Sequence, residues 1–187
     1  MEIFKKTLRF LLGEYSVYFI YASPDGKKND ALVAENPAVI VKMVNPSELL
    51  QCESLQLQNQ SGYMGDESIA YGCWLNNDLV AVCFYWFGRR YATRNFWPLK
   101  QQEAKLVQII CSEKSRGQGA ATALITASTR ELTSVSGNGG FARLYARIWH
   151  SNTPSVRAFE KSGWRRIATI LEINPLRRKR PLRIKFK

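Results

Sequence analysis

The stretch from Cys111 to Ala127, CSEKSRGQGAATALITA, constrains the chain more than any other. It follows Leu106–Cys111 (LVQIIC), an apolar run of strand length. It then passes through a polar turn holding Gly117. From Gly119 it takes helical spacing, with Ala121, Leu124, Ile125, Ser128 and Leu132 along one face. A strand that feeds a glycine turn opening a helix leaves backbone N–H groups at the helix start without intrahelical partners. Those groups and the positive end of the helix dipole favour an anion such as phosphate. Gly117 and Gly119 have no Cβ to hold a ligand away from the backbone. The spacing is neither the GxGxxG of a dinucleotide site nor the GK[ST] of a P-loop.

A second stretch, Leu144–Trp164 (LYARIWHSNTPSVRAFEKSGW), repeats the strand-to-helix pattern. Leu144–Trp149 predicts a strand, Thr153 is a predicted cap, and Pro154 suits a first helical turn. The helix is predicted to end at Ser162, with Gly163 taking the left-handed conformation beyond it.

Together these stretches resemble the GNAT superfamily of N-acetyltransferases. Arg116, Gly119 and Ala121 match its motif A pattern Q/R-x-x-G-x-G/A. The strand, Asn152, the helix and the ending Phe159-Glu160-Lys161-Ser162-Gly163-Trp164 match its motif B. The resemblance implies an α+β fold: one mixed, mostly antiparallel twisted sheet with flanking helices, splayed between its two central strands. It implies acetyl-coenzyme A as donor. The pantetheine arm would lie along Ile110, Cys111 and Ser112, with the pyrophosphate on Arg116, Gly117, Gln118, Gly119, Ala120 and Ala121. Asn152, Ser155 and Phe159 would border the arm. Many members carry a tyrosine where this chain has Phe159, and phenylalanine cannot protonate a leaving thiolate. Ser112, Ser155 and His150 are the nearby donors. His150, the sole histidine, and Glu103, just before the motif A strand, are the catalytic acid–base candidates.

The 187 residues predict one domain spanning the chain, with residues 1–37 as an N-terminal extension and 175–187 as a basic C-terminal strand. Within the extension, Ile3, Phe4, Leu8, Leu11 and Leu12 have helical spacing and Tyr15–Ala22 predicts a strand. Ala38–Val44 predicts a strand and Pro46–Gln58 a helix. Ile69–Leu75 and Leu79–Phe87 predict a hairpin about Asn76-Asn77-Asp78. Gly88–Gln102 is predicted to be irregular, and Ile167–Ile173 to be a strand. From Leu182 strict alternation predicts a half-buried edge strand. Cys52, Cys73, Cys83 and Cys111 form no C-x-x-C pair, which argues against zinc and for a reduced cytoplasmic setting. No stretch is long and uncharged enough to span a membrane.

The formal net charge of +12 exceeds what a coenzyme with three phosphates calls for. Arginines in Gly88–Gln102 suit an anionic small-molecule amine such as a nucleotide-linked amino sugar. The wording N-x-x-S-x-R-A-F-E-K-x-G-W resembles members of polysaccharide synthesis and members acting on protein N-termini. The favoured function is therefore acetyl transfer from acetyl-coenzyme A to a primary amine, with protein N-terminal acetylation as an alternative. A non-catalytic nucleic-acid-binding module is a second alternative, but no helix carries a continuous basic face, which argues against nucleic acid. A third is peripheral contact between the basic termini and an anionic membrane.

Overall fold

The computed structural model describes residues 15–24, 39–93, 97–134, 140–174 and 181–186. The predicted N-terminal helix, most of the 23–30 turn and the 177–180 basic run lie outside these residues. Eight strands form one sheet: β1 Tyr15–Ala22, β2 Val39–Met43, β3 Ser68–Leu75, β4 Asp78–Trp86, β5 Glu103–Cys111, β6 Arg143–Trp149, β7 Arg165–Ile173 and β8 Leu182–Phe186. Their order across the sheet is β2-β3-β4-β5-β6-β1-β7-β8. Every neighbouring pair is antiparallel except β5 and β6. The expected mixed, mostly antiparallel sheet is therefore present. β1 enters between β6 and β7, a position that periodicity cannot reveal.

Five helices flank the sheet among the described residues: α1 Pro46–Gln51, α2 Leu55–Gln58, α3 Gly88–Ala92, α4 Ala120–Thr133 and α5 Thr153–Lys161. One face is covered by α4 and α5, which bury Leu124, Ile125, Leu132, Phe159 and Trp164 against Tyr85, Leu106, Leu144 and Ile148. On the other face α1 and α2 press Leu49 and Leu57 onto Val82 and Phe84. Farther along that face, Trp97 and Leu99 cover Tyr18, Ile20, Tyr145 and Ile170.

Local chemistry accounts for the element ends. Asn76 and Asn77 have φ of 50° and 71°, the left-handed pair that a two-residue hairpin turn needs and that asparagine tolerates. The predicted Pro46–Gln58 helix is two pieces, separated at Cys52, which takes an extended backbone (ψ 153°). Asn45 opens α1 with a reciprocal capping box: its side chain accepts from Glu48 N–H, and the Glu48 carboxylate accepts from Asn45 N–H. Gly88–Gln102 is only partly irregular, because α3 occupies its start. Arg90 there donates to the carbonyls of Gly62 and Met64 and lies over the Trp86 ring, so it clamps a neighbouring loop.

The C-terminal strand differs from expectation. Neither face of β8 is buried: Leu182, Ile184 and Phe186 are each more than two-fifths exposed. Its charged side is engaged instead. Arg183 Nε donates to Glu172 Oε2 at 2.7 Å, and Lys185 lies 4.5 Å from the Trp97 ring centre.

Candidate active site

The site begins with a one-residue irregularity in β5. Phe84 of β4 faces Gln108 and Tyr85 faces Leu106, so Val107 is an extra residue. Such a bulge reverses which residues face each side of the sheet. Leu106 packs on the α4/α5 face, yet beyond the bulge that face receives Ile109 and Cys111, while Val107 and Ile110 join the opposite core.

On its other side, β5 pairs with β6 only from Glu103↔Arg143 to Leu106↔Ala146. Both strands continue, to Cys111 and Trp149, but without mutual pairing. One edge of β5 past Leu106 thus lacks a strand partner among the described residues. The gap opens as a cleft of about 170 Å³ lined by Lys105, Gln108, Arg147, Trp149, Asn152, Ser155 and Phe159, with backbone-adjacent apolar residues between them. The expected splay between the central strands lies here.

The glycine turn expected to cradle the pyrophosphate stands at the far end of β5. A 3₁₀ turn, Glu113–Ser115, follows Ser112. It is tied to β4: Ser112 N–H and Ser115 Oγ both donate to the Val80 carbonyl, at 2.8 and 3.1 Å. Gly117 and Gly119 have φ of 81° and 83°, and a Cβ built on either meets nothing within 4 Å. Glycine is needed there for the backbone conformation, and the space beside it is open. Gly119 is the N-cap of α4, and no side chain caps that helix. Its first-turn N–H groups therefore have no side-chain cap, and the Ala121 N–H lies close enough to Cys111 to favour its thiolate. Burial, the largest effect, raises the Cys111 pKa, while Arg116 and that N–H oppose it. Arg116 is exposed, with Glu113 4.0 Å away. A larger concavity, about 1080 Å³, adjoins the outer side of this turn between α1, α2 and the β3–β4 hairpin. It touches Ser112–Ser115 and Gln118 but none of the splayed-cleft residues.

The expected site residues divide into groups. Asn152, Ser155 and Phe159 line the cleft, and Ile110 to Ala121 form the strand end and cradle beside it. Asn152, not Thr153, caps α5, its side chain accepting from Ser155 N–H at 3.2 Å. Phe159 is fully buried because α5 ends in a Schellman motif. Gly163 N–H donates to the Glu160 carbonyl and Trp164 N–H to the Phe159 carbonyl. The Trp164 ring then meets Phe159 edge-on at 5.0 Å. The aromatic-x-x-x-Gly-aromatic ending is therefore a packing device as well as a cleft wall. Tyr21 packs against Phe159, but its hydroxyl donates to Glu160 at 2.9 Å; burial, then that carboxylate, pushes its pKa up to about 12.

His150 and Glu103 are not brought into the cleft. His150 is exposed at the end of β6, and its Nδ1 lies 3.0 Å from the Val17 carbonyl of β1, on the side of β6 away from β5. A carbonyl only accepts, so Nδ1 carries the proton. Glu103 starts β5, at the paired end. Its carboxylate accepts from Lys100 N–H at 2.7 Å and from the Tyr145 hydroxyl at 3.1 Å. The cleft residues that the sequence reading missed are Lys105, Gln108, Arg147 and Trp149. A usable signal was present: Lys105 interrupts an apolar strand, and Arg147 and Trp149, two apart on β6, must share a face.

The sequence model of the acetyltransferase (GNAT) family matches residues 41–164, and the chain belongs to that family. No curated protein matches it. Solved structures share the fold at low identity. A GNAT-family acetyltransferase from Colwellia psychrerythraea is 15% identical at a TM-score of 0.58, covering 99% of this chain and 62% of its own. A functionally unknown conserved protein from Staphylococcus epidermidis is 12% identical at 0.59, covering 92% and 66%. A GNAT-family protein from Novosphingobium aromaticivorans is 14% identical at 0.55, covering 86% and 64%. The chain thus spans less than two thirds of the length of each of these three. No described helix is long and apolar enough to cross a membrane.

Proposed function

We propose that this protein transfers an acetyl group from acetyl-coenzyme A to a primary amine. One observation carries the reading: β5 and β6 part at Leu106↔Ala146, and the opened edge of β5 leads straight to the glycine cradle at α4. An extended, polar pantetheine arm suits a strand edge that lacks a partner, as an added strand would. The N–H groups around Gly119 and the α4 dipole suit its pyrophosphate. The donor supplies a thioester: the acetyl carbon passes to the amine nitrogen as the carbon–sulfur bond breaks, the nitrogen loses a proton and the sulfur gains one.

The chain's own residues divide that work. Phe159 has no proton to give. The Ser112 hydroxyl is shared with Ser115 at 2.8 Å, and His150 is turned to β1. Ser155 is the hydroxyl that lines the cleft, and we assign it the proton for sulfur. Among the described residues, neither a carboxylate nor a histidine lines the cleft, but Lys105 and Arg147 do. Two fixed cations disfavour a bound ammonium and so lower the proton affinity of the incoming amine. An amino sugar is the acceptor we favour, on the motif B resemblance. Calorimetry with acetyl-coenzyme A, then an amine panel of amino sugars and peptide N-termini followed by free coenzyme A thiol, tests the function. Saturable binding and thiol release are expected. A folded protein that does not bind acetyl-coenzyme A would refute the proposal.

A further inference from the structure

The cleft has two unlike walls. Asn152, Ser155 and Phe159 belong to α5 and its cap, on the side of the sheet that α4 and α5 cover. Gln108 lines the cleft from the other direction. It stands two residues before Ile110 on β5, so the two share a face, and Ile110 packs into the core beneath α1 and α2. The Gln108 side chain meets the segment that follows α2: its Nε2 donates to Gln60 Oε1 at 2.9 Å. Gln60 Nε2 in turn donates to the Gln56 backbone carbonyl at 3.1 Å.

The direction of this chain of amides is fixed from its far end. A backbone carbonyl only accepts, so Gln60 must turn its nitrogen to Gln56 and its oxygen to Gln108. That oxygen also only accepts, so Gln108 must turn its nitrogen to Gln60. The Gln108 Oε1 is left over, with no hydrogen bond among the described residues. An amine attacking a thioester must direct its lone pair at the acetyl carbon while its N–H groups find acceptors elsewhere, since an N–H stripped of water and left unpaired weakens binding. Asn152 Oδ1 already accepts from Ser155 N–H. Among the described residues no carboxylate or histidine lines the cleft.

We propose that Gln108 Oε1 accepts an N–H of the acceptor amine and so turns the nitrogen lone pair to the thioester, with Gln60 as the positioning residue that holds that oxygen in place. This deepens the acetyltransferase reading and rests on it. An amide oxygen accepts a hydrogen bond but is too weak a base to take the proton, which passes from the nitrogen to water. Gln108 therefore orients the amine and leaves its titration alone.

Thiol release from acetyl-coenzyme A is followed with glucosamine, glycinamide and ethanolamine, and the best of them is carried into the variants. Gln108→Met keeps the length of the side chain and removes the amide. It should lower kcat/KM for the amine about 3- to 10-fold, the worth of one neutral hydrogen bond. The Kd for acetyl-coenzyme A and the position of the pH–rate limb should not move. Two substitutions of Gln60 test the direction of the chain. Gln60→Glu still accepts from Gln108 Nε2 and should stay within about threefold of the wild type. Gln60→Lys can only donate, so it draws Gln108 Oε1 to itself and should lose as much as Gln108→Met. Unchanged kcat/KM in Gln108→Met, equal effects of Gln60→Glu and Gln60→Lys, or a matching loss of coenzyme affinity overturns the proposal.

If none of the three amines turns over, binding decides. The Gln108 side-chain amide resonances, identified by their loss in Gln108→Met, are followed as each amine is added in the presence of coenzyme A. A saturable shift that Gln60→Lys abolishes supports the contact without turnover. No shift with any of the three overturns it even if acetyl-coenzyme A binds. Failure of the parent reading shows differently, as absence of acetyl-coenzyme A binding by calorimetry.

Discussion

Three glycines in the left-handed region separate backbone strain from ligand contact. Gly119 and Gly163 have φ of 83° and 78°, nearly the same backbone state. A Cβ at Gly163 would meet Pro24 Cγ at 3.8 Å, ordinary contact, and one at Gly119 would meet nothing within 4 Å. Placing alanine in that conformation costs roughly 1–2 kcal/mol. Loss of glycine's freedom in the unfolded chain returns about 0.4–1 kcal/mol. The net for either Gly→Ala change is then about 1 kcal/mol, and at this chain length each kcal/mol moves Tm by about 2–4 °C. Gly163→Ala and Gly119→Ala should therefore lower Tm alike. Acetyl-coenzyme A at about 100 times Kd adds ~2.7 kcal/mol of stability. Gly163→Ala should keep that gain. Gly119→Ala, and Gly117→Ala with φ of 81°, put a methyl into the cradle. A tenfold rise in Kd would remove about 1.4 kcal/mol of the gain. Thermal unfolding with and without acetyl-coenzyme A reads both quantities. Equal ligand-induced shifts in Gly119→Ala and the wild type would refute the placement of the pyrophosphate. Unequal losses of Tm without ligand would refute the strain argument.

Asn45→Ala removes the α1 cap and should destabilise by about 1 kcal/mol, seen as a Tm lowered by roughly 2–4 °C. The Lys42 bond, then the Asn45 N–H, hold the Glu48 carboxyl below its ordinary pKa. Its contribution is present above the unfolded carboxylate range near pH ~4.3 and is lost as pH falls through the lower folded value. Glu48→Gln should flatten that acid limb in denaturant titrations, and an unchanged limb would remove Glu48 from its cause. Phe159→Ala should cost about 3–5 kcal/mol and weaken acetyl-coenzyme A binding while leaving the shape of the pH–rate curve unaltered, because the ring has nothing to titrate. His150→Asn should leave turnover within a few-fold, with the pH–rate limb following the acceptor's own amine. A loss of about 10²-fold would bring the imidazole back as a base.

Much of the fold was legible because its punctuation is local. The Asn76-Asn77 turn, the Tyr15–Ala22 strand, the glycine entry to α4 and Gly163 after α5 each follow from residue types acting on their own backbone. The breaks came where distant neighbours decide. Two short helices replace one because Leu49 and Leu57 must both reach the sheet core. β8 alternates as a buried strand would, yet Leu182, Ile184 and Phe186 on its apolar side are left about half exposed among the described residues. Arg90 looked like a ligand-binding arginine because sequence cannot show that three loop carbonyls surround its guanidinium.

The cleft between β5 and β6 shows most plainly why chemistry is harder to read than architecture. In Glu103–Cys111, EAKLVQIIC, the apolar run Leu106-Val107 and Ile109-Ile110-Cys111 belongs to both faces, so alternation carries no phase. The bulge at Val107 shifts that phase by one residue, and with it the side each later residue serves. His150 looked catalytic by its distance along the chain from Asn152, but the β1 strand, more than a hundred residues earlier, supplies the carbonyl that turns it away. That strand's Tyr18 also packs against Arg147. The insertion of β1 beside β6 therefore withdraws the histidine from the cleft and helps fix the arginine that lines it. The side chains that line the cleft are thus set in part by a strand pairing, which neither motif could disclose.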